Sequence, residues 1–214
     1  MTTGYGFNNL DRGILPTEGS KRSLSAFVST PLSDLQYYRL FFTERDYFPI
    51  DRDNTWIIML RSGLGYTEPY GDTTDMPFFK NLYAGGLNTL RGYANNSLGS
   101  RGTNQDGTEG SRLGGNALVS GSIDLIFPLT IFTQQKNFRA SLFVEAANVF
   151  TTRCIIESTF CKEGIDLNDL RYTTGLTLSW FSPVGPMALS FGSALNSKPG
   201  DNTDTVQFIL GGSL

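Results

Sequence analysis

One arginine stands where this chain could concentrate chemistry. Arg91 lies between Leu90 and Gly92, with Tyr93 beyond, inside an interval (residues 68–114) that follows no regular period. A guanidinium stays charged in almost any surroundings and grips a carboxylate through two parallel N–H donors. Three isolated charges, Arg61, Asp124 and Glu145, stand in the middle of alternating segments. An isolated charge there needs water or a partner. Gly92, like the paired Gly85 and Gly86, lets backbone turn close to a neighbour. On spacing alone, Arg91 reads as a solvated loop residue and the acids as the lining of a wet pore.

Other chemistries are thinly represented. There is no histidine and cysteine occurs only twice, so His-based triads, His-ligated metals and four-cysteine zinc sites are excluded. No Gly-x-Ser-x-Gly elbow is present, and catalysis by this chain is not expected. Cys154 and Cys161 bracket a polar stretch and read either as a disulfide, implying an oxidising compartment, or as two free thiols. The Asp51/Asp53 and Asp201/Asp204 pairs fall in turns, where aspartate serves its own backbone, so no metal and no cofactor are expected. A net charge of −3 offers no basic surface to nucleic acid.

The elements that must position Arg91 and the acids read as strands. Segments 4–9, 23–30, 37–48 and 55–64 precede the long interval, and 115–127, 138–150, 171–181, 187–194 and 205–214 follow it. They make about nine strands of roughly 8–12 residues, against the ~9–11 tilted residues that cross a bilayer. Within them Leu142, Val144 and Ala146 oppose Ser141, Phe143 and Glu145, while Val206, Phe208, Leu210 and Leu214 share one face of the last. A soluble sandwich would bury such apolar faces against each other; a membrane barrel would turn them to lipid. With 24 Gly, 16 Phe and 9 Tyr, the composition suits either.

Connection lengths favour the barrel. Short turns at 49–54 and 182–186 alternate with long stretches at 68–114, 151–168 and 197–204, the asymmetry of outer-membrane barrels. Phe48, Trp56, Phe127, Phe150, Trp180 and Phe181, near strand ends, read as interface girdles. No apolar run reaches the ~18 residues of a spanning helix. Residues 1–20 do not read as a secretory leader. The expected fold is all-β, an antiparallel transmembrane β-barrel.

Residues 85–93, Gly-Gly-Leu-Asn-Thr-Leu-Arg-Gly-Tyr, resemble the loop-six motif of BamA-type outer-membrane assembly factors, an aliphatic residue followed by Arg-Gly and an aromatic. Segments 122–127, 143–150 and 178–186 resemble the strands that follow it there, and Leu10-Asp11-Arg12-Gly13 with Pro16-Thr17-Glu18-Gly19 also fits. The resemblance runs in order through essentially the whole chain. It implies that residues 1–214 are the C-terminal portion of a larger barrel in the bacterial outer membrane, with 68–114 as an extracellular loop entering the lumen. There Arg91 meets Asp124 and Glu145, and the strand 205–214 forms one side of the barrel's seam.

The function so implied is non-enzymatic: an insertase that folds and inserts client β-barrels. The alternative is a two-partner-type polypeptide secretion channel of the same superfamily. Implied partners are nascent outer-membrane β-barrel proteins, the lipid bilayer, and periplasmic repeat domains and accessory lipoproteins that this chain lacks. Two raw sheet edges would remain, so the chain is expected to close on itself or pair with a second copy. One departure is that the chain ends in Leu214, where the family ends in an aromatic residue.

Overall fold

Alternation of apolar with small polar side chains, broken by Gly, Pro and Asp, gives a meander of antiparallel strands. The computed structural model describes residues 1–129, 138–154 and 160–211. Residues 130–137 of the connection expected at 128–137, the middle of the cysteine loop (155–159) and Leu214 lie outside the described residues. The strands are β1 (Thr2–Asn8), β2 (Gly19–Val28), β3 (Tyr37–Pro49), β4 (Ile57–Pro69), β5 (Gly92–Tyr93), β6 (Ser100–Thr103) and β7 (Glu109–Gly114). They continue with β8 (Ala117–Phe127), β9 (Phe138–Phe150), β10 (Arg171–Ser182), β11 (Gly185–Ala194), β12 (Thr203–Asp204) and β13 (Val206–Leu210).

Among the described residues one nine-stranded sheet forms in the order β1-β2-β3-β4-β8-β9-β10-β11-β13. Register sets its two faces. Leu60 pairs with Ile123, which pairs with Val144, and all three are exposed. Leu40, Leu142, Phe191 and Phe208 share that apolar outer face, while Ser141, Phe143, Glu145, Thr177 and Ser190 on the other side are buried. A sandwich would have reversed this. Such a band is stable when lipid covers it, and the opposite face becomes a lumen able to hold charge.

The lumen is filled by loops rather than by strand aliphatics. Leu82, Ala84, Leu90, Tyr93 and Leu98 of the long interval pack on Leu118, Ala147 and Val149. At the other end Tyr47, Ile57 and Ile126 form a second cluster, with Leu10 from the β1–β2 connection against it. That connection is knotted by Asp11, whose carboxylate accepts the Thr17 N–H (2.7 Å) and hydroxyl (2.6 Å). Arg139 of β9 donates to the carbonyls of Leu15 and Pro16, which draws the connection under the lumen.

Several boundaries differ from those read in the sequence. β4 runs on to Pro69 rather than stopping at Leu64, because Gly65 is a close-packing site. A Cβ there would come within 2.9 Å of Leu82 and of the Phe41 ring. β2 begins at Gly19 rather than Ser23, since Lys21 and Arg22 alternate faces and pair with Arg45 and Glu44. The interval 68–114 is not free of regular structure: it holds β5, β6, β7 and a 3-10 turn at Phe78–Lys80. The last strand, β13, begins at Val206, and the stretch 197–204, read as a loop, holds β12, which pairs with β5. Phe150 is no girdle residue: it is 5% exposed, and its carbonyl accepts the Asn116 N–H where the ladder continues beyond β8.

Candidate functional site

The arginine turn is the best-tied part of the lumen. Gly86 accepts from Thr89 and Leu90 N–H groups and donates to the Tyr93 carbonyl, so residues 86–93 form a closed hairpin-like turn. Gly92 sits at φ +85°, where a side chain would be strained, and its backbone lies against Gly192 of β11. A Cβ on Gly192 would come within 2.7 Å of the Gly92 nitrogen. Two glycines on different elements are therefore needed for one approach.

That approach delivers Arg91, 5% exposed, to two acids that are each 1% exposed. Its Nη2 donates to both Asp124 oxygens, at 2.9 and 2.8 Å. Its Nε donates to Glu145 Oε1 at 2.8 Å, and its backbone N–H to Oε2 at 2.7 Å. Nη1 reaches the Thr177 hydroxyl at 2.9 Å, and Nη2 that of Ser122 at 3.3 Å. The guanidinium carbon lies 3.7 Å from the centre of the Phe143 ring, which adds a cation–π contact. Arg61 of β4 also pairs with Glu145. Two cations and two anions thus share one buried cluster, with the loop core on one side and the Tyr47 cluster on the other.

The structure therefore brings Arg91, Gly92, Asp124 and Glu145 together, with Leu90 and Tyr93 fully buried in the loop core beside them. The solvated reading of Arg91 does not hold. Val206, Phe208 and Leu210 lie apart from this cluster, exposed on the outer face of β13. Cys154 and Cys161 form a disulfide in the β9–β10 connection, Cα atoms 6.1 Å apart. Asp51 accepts from the Thr55 and Trp56 N–H groups and Asp201 pairs with Arg171, so each is engaged locally.

Sequence reading gave no role at the site to Arg61, Ser122, Thr177 or Gln207. Arg61 carried a signal, an isolated cation at mid-strand on the face shared with Asp124 and Glu145. The others look like any small polar lining. Gln207 of β13 holds the arginine turn by its backbone, accepting the Gly92 N–H at 3.3 Å and donating to the Tyr93 carbonyl at 2.7 Å.

A barrel wall with an inturned loop whose arginine is clamped by lumenal acids defines a class, and comparison with known proteins gives it a family. Residues 1–214 match the Omp85 superfamily domain along their whole length, and the chain belongs to that superfamily. The outer membrane protein assembly factor BamA of Neisseria meningitidis serogroup B is 32% identical over 225 aligned positions, covering 98% of this chain and 28% of that protein. The crystal structure of BamA from Haemophilus ducreyi lacking POTRA domains 1-3 matches with a TM-score of 0.87 at 32% identity, over 97% of this chain and 41% of that one. The chain thus has a BamA-type barrel fold, is a protein of the Gram-negative outer membrane, and spans under half the length of these relatives.

Proposed function

We propose that this chain is the seam-bearing part of an outer-membrane insertase, which folds client β-barrels into the bilayer without enzymatic chemistry. The observation that carries the reading is β13. It is bonded to β11 over residues 206–210 and stands last in the sheet order, with Val206, Phe208 and Leu210 exposed on the lipid face. Unpaired N–H and C=O groups in hydrocarbon cost several kcal/mol each. A client strand that adds to this edge satisfies them and is templated as it does so. The likeness to two BamA proteins, one of them named as an assembly factor, supports the same reading.

The partners are then nascent outer-membrane β-barrel proteins, with periplasmic repeat domains and accessory lipoproteins delivering them. The edge at β1 is completed by further barrel strands or by a second copy. The test places a photo-crosslinking residue at Phe208 of the complete protein in lipid vesicles and offers a client arrested during assembly. Crosslinks from Phe208 to a client strand, together with faster client folding, are expected. Passage of unfolded polypeptide through the pore, with no crosslink and no folding, would overturn the reading in favour of a secretion channel.

A further inference from the structure

The last strand has a register problem. β13 meets β11 through five pairs, from Phe191 with Val206 to Met187 with Leu210. Sliding it by one residue would turn its apolar side chains into the lumen, so patterning forbids that slip. Sliding by two keeps every face correct. Lipid does not distinguish Val206, Phe208 and Leu210 from one another, so the outer face cannot choose between those registers. The β5–β12 pairing ends at Asp204, short of β13, and bears on it only through Thr205, whose carbonyl accepts the Gly192 N–H.

What differs between the registers is the lumenal side. On β13 that side carries Gln207, 7% exposed beneath the arginine turn, and Ile209, with Thr205 just ahead of the strand. Its carboxamide makes the two contacts already described, one as acceptor and one as donor, to consecutive residues of that turn. A two-residue slip would put Thr205 or Ile209 in this place. Isoleucine has no polar group, and threonine is too short to offer an acceptor and a separate donor across the same gap. Opposite it on β11, Ser190 continues the polar row through Thr177, which holds the Arg91 guanidinium.

We propose that Gln207 is the register key of the seam: its carboxamide reads the backbone of Gly92 and Tyr93 and fixes which β13 groups face an incoming strand. The arginine turn, itself anchored by Asp124 and Glu145, is the fixed reference. The role is one of positioning, and it is a property of the barrel alone.

The experiment uses paired cysteines on the outer face of the complete protein. Leu189→Cys with Phe208→Cys reports the native register. Leu189→Cys with Val206→Cys or with Leu210→Cys reports a slip of two. Directly opposed positions lie within reach of a disulfide, and diagonal ones about 7–8 Å apart do not. With Gln207 present, only the native pair should crosslink. Each lost hydrogen bond shifts such an equilibrium by about five-fold, so Gln207→Leu should raise the slipped crosslinks by roughly 25-fold while heat-modifiable migration still reports a folded barrel. Gln207→Asn, one methylene short, should do the same, and it decides the matter if the leucine variant does not fold. A crosslink pattern confined to the native pair in a folded variant would overturn the proposal. The assay contains no client, so its outcome is separate from that of the insertase reading.

Discussion

Replacing Arg91 by Met in the complete protein removes one charge from a cluster that holds two cations, Arg61 and Arg91, against two anions, Asp124 and Glu145. Methionine fills similar volume, so the perturbation is electrostatic. Glu145 keeps its ion pair with Arg61, but Asp124, 1% exposed, keeps hydrogen bonds only from the Ser122 and Ser141 hydroxyls among the described residues. Removing one member of a buried ion pair costs roughly 3–5 kcal/mol, largely because the other charge is stranded. Neutralising that charge with Asp124→Asn should therefore restore part of the loss. A double-mutant cycle on urea midpoints in detergent, with the slope unchanged, should give a coupling energy of at least about 2 kcal/mol. Loop residues 83–102 should become sensitive to protease in Arg91→Met and less so in the double variant. If the two substitutions add to within about 0.5 kcal/mol, the pair is not coupled and the clamp reasoning fails.

Gly192→Ala should act on the same turn without touching a charge, since its methyl meets the Gly92 backbone at 2.7–2.8 Å. A loss of roughly 1–3 kcal/mol and release of loop 83–102 to protease are expected, and wild-type protection would refute the close approach. In the β9–β10 connection, the Lys162 ammonium and then the Asn168 N–H hold the Asp166 carboxyl down to about 2. Because that lies below its ordinary value, the ion pair contributes above about pH 4 and is lost as pH falls toward 2. A carboxyl carbon titration of Asp166 should centre near that lower value and move up in Lys162→Gln; a midpoint near 4 in the parent would contradict the pairing.

The parts of this fold legible in the sequence are those with a period. Val144 and Ala146 flank Glu145, so its lumenal placement follows from its neighbours, and the same holds for Asp124 between Ile123 and Leu125. Gly65 misled because a glycine within a strand pattern reads as its ending, whereas here the missing side chain admits Leu82 and Phe41. Phe150 misled because parity places it on the outer face, yet it is buried at the end of β9. The pairing of Arg91 with its acids joins residues 33 and 54 positions apart, a distance at which spacing carries no information. Gln207 was invisible for a different reason. Its partners are backbone atoms of Gly92 and Tyr93, which leave no mark of their own in the sequence.

The central claim is that one side of each strand meets lipid while the other encloses the clamped arginine. It is tested most directly along β9, with single fluorophores placed in turn at Ser141, Leu142, Phe143 and Val144 and quenched by nitroxide-bearing lipids. Strong quenching at Leu142 and Val144 with weak quenching at Ser141 and Phe143 is predicted. Equal quenching at all four positions, or the inverse alternation, would contradict the account.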